Sequence, residues 1–363
     1  MRVEPFTIAV DDRVLEDLQV RLARTRWPGA APGEPWAQGT DLGWLQDLCT
    51  YWAAGYDWRI HERALNAHPQ FVADLDGLRV HYVHVRRGGT PLILTHGWPS
   101  AFVEYLPLVD RLAGFDLVIP SLPGYGFSER PPTCTTRDVA RLWHRLMRGL
   151  GYTRYAAGGT DFGSEVTTYM ALDDPDPLVG IHLSNVDNQP TPTTPLTDAE
   201  QAFVAATKRW DVVERGYSLI QGTRPQTLAV GLTDSPAGLA AWILEKWRQW
   251  ADTGGDIDAR FDRDFLLTLV TLYWVTGTIG TSIRDYADNR AAGTAILPPG
   301  TYVRVPTAIA NFHHNYADEG TRPREWAERL YHLTRFTDMP RGGHFAAVEE
   351  PDLLAADITA ALA

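Results

Sequence analysis

The sequence predicts an α/β protein: a mostly parallel central sheet with helices on both faces, carrying a helical cap (lid) domain. Three observations predict it. Short apolar runs at 78–85, 91–95, 115–119, 155–157, 180–184, 302–308 and 333–337 alternate with helical stretches. Strands spaced this way pair in parallel, because each crossover helix covers one face of the sheet. The spacing breaks between about 188 and 300, where the chain reads as helix at Pro236–Trp250 and Arg263–Thr276 with no strand signal. Finally, a glycine-rich turn, Gly158-Gly159-Thr160-Asp161-Phe162-Gly163-Ser164, directly follows the run at 155–157.

In chain order, residues 11–27 read as an amphipathic helix with Val14, Leu15, Leu18 and Leu22 on one face, Asp11 or Asp12 as N-cap, and Trp27-Pro28 as the stop. A Pro- and Gly-rich stretch runs to about Thr40, and a second helix covers Leu42–Ala54. This leader, 1–76, is expected to wrap a core formed by 77–188 and 301–363, with 189–300 as the helical cap. No internal repeat or low-complexity tract interrupts the pattern.

The 363 residues suffice for one large core with a lid. A net charge of −12 argues against nucleic acid and against an anionic membrane surface, since both need clustered cations. No apolar run reaches the ~18 residues of a spanning helix, and the first dozen residues lack the basic and apolar regions of a signal peptide. Cys49 and Cys134 stand far from each other and from any metal-ligand spacing, so free thiols and a cytoplasmic location are expected. Thirteen tryptophans and fourteen tyrosines exceed the needs of a core and suit the lining of an apolar cavity.

The chemistry concentrates at Asp161. A Gly-x-nucleophile-x-Gly turn between strand and helix holds its central side chain in a strained, exposed conformation, and small neighbours let the backbone pass close by. Here the central residue is a carboxylate where a serine would be usual. Upstream, 91–95 runs into His96-Gly97-Trp98-Pro99, a loop able to aim the Trp98 N–H into the site. With the N–H of Phe162 it makes a two-donor oxyanion hole. Pro120-Ser121-Leu122-Pro123-Gly124-Tyr125-Gly126-Phe127-Ser128 supplies a second rigid loop at the same sheet end. Near the C-terminus, Arg341-Gly342-Gly343-His344-Phe345 places a histidine after the last strand, a general-base candidate in the nucleophile–acid–histidine order of α/β-hydrolases.

Along nearly its whole length the chain resembles the microsomal-type epoxide hydrolases, which have the α/β-hydrolase fold. The resemblance is carried by Pro5-Phe6-Thr7-Ile8, by Leu22-Ala23-Arg24-Thr25-Arg26-Trp27-Pro28, by Tyr51-Trp52 with Tyr56-Asp57-Trp58-Arg59, and by the loop, elbow and histidine motifs above. In the cap it rests on Gly216-Tyr217-Ser218-Leu219-Ile220-Gln221, Asp234-Ser235-Pro236-Ala237-Gly238-Leu239-Ala240, Tyr273-Trp274 and Tyr286. It implies that Asp161 attacks an oxirane carbon to form an alkyl–enzyme ester, and that Tyr217 and Tyr286 donate to the departing oxygen. His344 then activates the water that releases a vicinal diol, and no metal or organic cofactor is needed. His96, Pro99 and Trp274 are the expected substrate-lining residues. Members anchored in the microsomal membrane carry an N-terminal membrane helix, and no such run stands here.

The acid that orients His344 is open. The family places a Glu or Asp about where Asn315 stands, and an amide cannot stabilise an imidazolium as a carboxylate does. Asp318 or Glu319 could supply the charge from a shifted position, and Asp187, or Asn315 orienting the ring alone, are further options; His313 and His314 read as loop residues. The aromatic-rich cap points to a bulky, polyaromatic or polyketide-like natural-product epoxide, and a homodimer stays open. Rival readings are a haloalkane dehalogenase, where Phe162 departs from the usual Trp, and a serine esterase using Ser164, which lies off the apex. A non-catalytic binding protein and cyclisation by a substrate's own hydroxyl complete the set.

Overall fold

The computed structural model describes residues 1–184, 186, 188–313 and 322–363. Nine strands form one sheet: β1 (Arg2–Phe6), β2 (Gln70–Leu75), β3 (Leu78–Val85), β4 (Thr90–Thr95), β5 (Phe115–Pro120), β6 (Tyr155–Gly159), β7 (Leu178–Leu183), β8 (Val303–Asn311) and β9 (Tyr331–Asp338). Their spatial order is β1-β2-β3-β5-β4-β6-β7-β8-β9. From β5 onward every pair is parallel, while β1, β2 and β3 pair antiparallel and β3 meets β5 antiparallel. This is the mostly parallel sheet expected from the alternation of strand and helix, in the α/β-hydrolase arrangement that the resemblance implies.

In chain order the leader holds α1 (Asp12–Ala23), α2 (Leu42–Ala54) and α3 (Trp58–Asn66), and α4 (Thr136–Gly149) and α5 (Phe162–Asp173) pack on the sheet. Eight helices stand between β7 and β8: α6 (Asp198–Glu214), α7 (Gly216–Thr223), α8 (Pro225–Asp234), α9 (Pro236–Trp250), α10 (Ile257–Arg260), α11 (Arg263–Thr276), α12 (Ile279–Ser282) and α13 (Arg284–Ala292). They form the cap. After β8 come α14 (Arg324–Glu328), α15 (Ala346–Glu349) and α16 (Pro351–Leu362).

Three features of the leader differ from the sequence expectation. The first helix ends at Ala23 rather than near Trp27, because Leu22 is its last core-facing residue and Arg24 already closes it onto the Val20 and Arg21 carbonyls. Residues 2–6 form a strand that the pattern hides. Its side chains are mostly exposed, so no apolar alternation marks it, and Pro5 is tolerated because β1 is an edge strand. The leader helices also lean on the cap more than on the sheet. Trp52 donates from Nε1 to Thr271 Oγ1 at 2.9 Å, Tyr51 from its hydroxyl to Asp264 at 2.7 Å, and Thr40 to the Ala241 carbonyl at 2.9 Å. At the rim, Arg21 pairs with Asp234 at 2.6 Å.

The sheet centre explains where chemistry can sit. β6 is Tyr-Ala-Ala-Gly-Gly, buried throughout, and its small residues allow α5 to pack close; α5 itself is buried from Phe162 to Ala171. The loops that follow β4, β5, β6 and β9 therefore converge at the carboxyl ends of the strands, beneath the cap.

Trp52 is the buried link between leader and cap, 2% exposed. Trp52→Ala should cost about 3–5 kcal/mol in urea denaturation. A loss below about 1 kcal/mol would mean that the leader does not support the cap.

Candidate active site

β6 ends at Gly159, and the chain turns through Thr160 and Asp161 into α5. Asp161 holds φ 54° and ψ −131°, a conformation that L residues rarely adopt and that persists only where the surroundings impose it. They do so by close approach. A Cβ on Gly163 would lie 1.9 Å from the Thr95 carbonyl oxygen, and one on Gly97 would lie 2.2 Å from Asp161 Oδ1. Only glycine fits at either position, so the elbow and the β4 loop are pressed together.

The carboxylate is 4% exposed. The Trp98 N–H donates to its Oδ1 at 2.8 Å, and His344 Nε2 stands 3.5 Å from its Oδ2. Phe162 follows as the first residue of α5, so its N–H belongs to the turn whose donors lack intrahelical acceptors. His344, itself 2% exposed, is held by its backbone N–H on the Trp250 carbonyl at 2.9 Å, with the Trp250 ring 5.0 Å from the imidazole.

Two cap tyrosines close over this group. Tyr217 of α7 stacks on Trp98 with ring centroids 5.5 Å apart, and Tyr286 of α13 meets Trp98 edge-on at 5.6 Å and Phe162 at 4.9 Å. The two phenol rings are 5.7 Å from each other. The structure thus brings together Asp161, His344, Tyr217, Tyr286, Trp98 and Phe162, residues drawn from three core segments and two cap helices.

Other expected site residues fall elsewhere. His96 is fully buried. Its Nδ1 faces the Gly97 carbonyl at 3.0 Å and its Nε2 accepts from the Leu122 N–H at 3.2 Å, so both nitrogens tie loops together and leave none for a ligand. Burial pushes this imidazole down to about 4, which keeps it neutral. Trp274 stands apart from the cluster, its ring under the Arg21 guanidinium at 5.7 Å on the leader side of the cap. The Pro99 carbonyl accepts from Trp247 Nε1 at 3.1 Å, binding the loop to α9. His313 is exposed, near Asp338 at 3.8 Å. Asp187, His314, Asn315, Asp318 and Glu319 lie outside the described residues. Among the described residues no three metal-ligating side chains come together, and no single helix is long and apolar enough to cross a membrane.

Several charged residues at the site carry no sequence signal. Arg130, with its side chain 2% exposed, pairs with Asp285 and, at 2.7 Å, with Asp288, the residues flanking Tyr286 on α13. These pairs hold the Tyr286 helix to the loop after β5, and Thr281 of the preceding α12 adds a 2.5 Å hydrogen bond to the Gly124 carbonyl of that loop. Lys246 sets its ammonium 4.9 Å from the Tyr217 ring centroid. Glu104, 1% exposed, lies in the short helical turn Phe102–Leu108, and neither of its oxygens completes a hydrogen bond among the described residues. Burial, with Asp161 and Glu349 nearby, pushes its carboxyl up to about 8.

A carboxylate at the nucleophile elbow, a histidine against it and a helical lid define a hydrolase of the α/β-hydrolase fold. Residues 3–105 match the family model described as epoxide hydrolase N terminus, and residues 90–211 match that of the alpha/beta hydrolase fold. The chain is 35% identical to juvenile hormone epoxide hydrolase 2 of Ctenocephalides felis, covering 99% of this chain and 85% of that protein. It is 33% identical to epoxide hydrolase 1 of Sus scrofa over 98% of this chain and 87% of that one. The solved Aspergillus niger epoxide hydrolase superposes with a TM-score of 0.87 at 30% identity, covering 99% of this chain and 96% of that one. The chain belongs to the epoxide hydrolase family, enzymes that open a small epoxide with water.

The raised Glu104 carboxyl predicts a pH signature. Its proton is bound more tightly in the folded state than in the unfolded chain, so this stabilisation is present at pH 4 and is lost as pH rises through about 8. Relative to Glu104→Gln, the wild type should lose stability between pH 5 and 8 at up to about 1.4 kcal/mol per pH unit. Urea midpoints whose difference does not change with pH would contradict this.

Proposed function

We propose that the chain hydrolyses its epoxide through an alkyl ester on Asp161. The observation that carries the reading is the unequal setting of the two carboxylate oxygens. Oδ1 is held by the Trp98 N–H at 2.8 Å, while Oδ2 lies toward His344. Oδ2 is then the attacking atom, and Oδ1 becomes the ester carbonyl oxygen, already seated where negative charge will later develop.

In the first half-reaction the Oδ2–carbon bond forms as the oxirane carbon–oxygen bond breaks. The leaving oxygen takes a proton from Tyr217 or Tyr286, whose rings lie over Trp98 and Phe162. In the second, His344 removes a proton from water as it attacks the ester carbonyl carbon. The tetrahedral oxyanion at Oδ1 accepts from the Trp98 and Phe162 N–H groups, each such donor being worth about 2.7–4 kcal/mol. Collapse releases the diol and restores the carboxylate, and the proton on His344 returns through solvent to the tyrosine. The surrounding rings of Trp98, Trp250, Phe162 and the tyrosines favour an apolar, ring-bearing epoxide, consistent with a bulky natural product.

Mass spectrometry after acid quench tests the ester. With styrene oxide, His344→Gln should accumulate the adduct on the peptide containing Asp161, and Asp161→Asn should form none. An Asp161→Asn variant that still turns over would sink the reading. Replacing both Tyr217 and Tyr286 by Phe should slow adduct formation by roughly 10²–10⁴-fold, with each single change milder. A double variant with a wild-type alkylation rate would remove the tyrosines from the mechanism.

A further inference from the structure

The turn that carries His344 is fastened by a carboxylate with no part in the steps above. Glu349, at the end of α15, has a side chain that is 0% exposed. Its Oε1 accepts from the Phe345 N–H at 2.9 Å, and its Oε2 from the Gly343 N–H at 3.0 Å. The residues on either side of the histidine are therefore bonded to one side chain. The same Oε2 also accepts from the Asp252 N–H at 2.8 Å, just beyond the end of the cap helix α9.

Two further bonds complete the joint. The His344 N–H reaches the Trp250 carbonyl at 2.9 Å, and the Gly342 N–H reaches Asp252 Oδ2 at 3.0 Å. Gly343 admits this approach, since a Cβ there would sit 2.6 Å from the Trp250 carbonyl oxygen. A buried carboxylate is costly unless its oxygens are satisfied. Here three N–H donors and the Arg260 guanidinium, 3.5 Å away, offset the burial that pushes Glu349 up to about 7.

Two of the ties between cap and core stand beside different reacting groups. Arg130 fixes the helix bearing Tyr286, which serves ring opening. Glu349 fixes the turn bearing His344, which serves only ester hydrolysis. We propose that Glu349 is a positioning residue for the second half-reaction, its carboxylate holding the His344 turn against the end of α9 so that water is delivered to the Asp161 ester. This rests on the ester mechanism proposed above.

Removing the carboxylate while keeping its shape separates this role from general support. In Glu349→Gln the amide nitrogen must face at least one backbone N–H, so one acceptor is lost, whereas Glu349→Ala loses all three. Single-turnover reactions with styrene oxide, quenched and analysed for the Asp161 adduct, read both half-reactions in one experiment. Glu349→Gln should form the adduct within about 3-fold of the wild-type rate and hydrolyse it roughly 10- to 100-fold more slowly, with Glu349→Ala slower still. Should these variants not fold, Glu349→Asp keeps the charge with a shorter reach and should show the same selective delay.

His344→Gln serves as the control. If it accumulates adduct while Glu349→Gln hydrolyses at the wild-type rate, the positioning role is overturned. Proportional slowing of both steps overturns it too, since that is the mark of a purely structural residue. If His344→Gln accumulates no adduct, the ester mechanism itself fails, whatever Glu349 does.

Discussion

The hydrogen bond from the Trp98 N–H to Asp161 Oδ1 is the contact on which the site depends. It joins the loop after β4 to the turn after β6, two neighbouring parallel strands, and it can form only because glycines at 97 and 163 let the backbones meet. The positive φ of Asp161 is otherwise unfavourable for a residue with a side chain. The packing around the elbow supports that conformation, and in return one carboxylate oxygen is fixed and the other turned toward His344. Any change that pushes the two loops apart would lose the backbone conformation and the Trp98 N–H donor together.

Around this contact the molecule separates its tasks by element. The sheet and α5 supply rigidity, since catalytic groups on strand ends and helix termini are held more tightly than groups on free loops. The cap supplies rings, with Tyr217 and Tyr286 from different helices meeting on one tryptophan of the core. The leader completes the enclosure from outside, bonding through Trp52 and Tyr51 to α11. The groups beneath the lid, Asp161 and His344, are almost wholly buried, and in such surroundings each hydrogen bond to developing charge is stronger than it would be in solution.

How much of this was legible in the sequence follows from the range of each interaction. The elbow, the His96-Gly97-Trp98-Pro99 loop and the His344 turn were readable because each is a local motif whose glycines and prolines record backbone demands within a few residues. The helices α2, α9 and α11 showed as continuous helical patterns. The strand β1 did not, because an exposed edge strand has no apolar alternation to read. The buried charges were hidden for a different reason. Arg130 and Asp285 are separated by 155 positions, and nothing near either one distinguishes a desolvated ion from a solvated surface residue. His96 misled in the opposite direction, since its place beside the elbow suggested ligand contact while one nitrogen serves its own loop and the other the loop after β5.

These hidden charges share a physical logic. Each buried ion is costly unless paired, and a pair that bridges two elements stabilises only the arrangement in which both are in place. Arg130 with Asp285 and Asp288 penalises any displacement of α13 from the loop after β5, and so keeps Tyr286 over Phe162. An apolar contact at the same place would add stability but would slide, because dispersion and hydrophobic burial have little directional preference. A proton donor and an oxygen atom must meet within a few tenths of an ångström, so directional bonds between ions are better suited to hold the donor's helix. The cap can therefore afford aromatic, permissive walls toward substrate while its registration on the core is set by a few buried charges outside them.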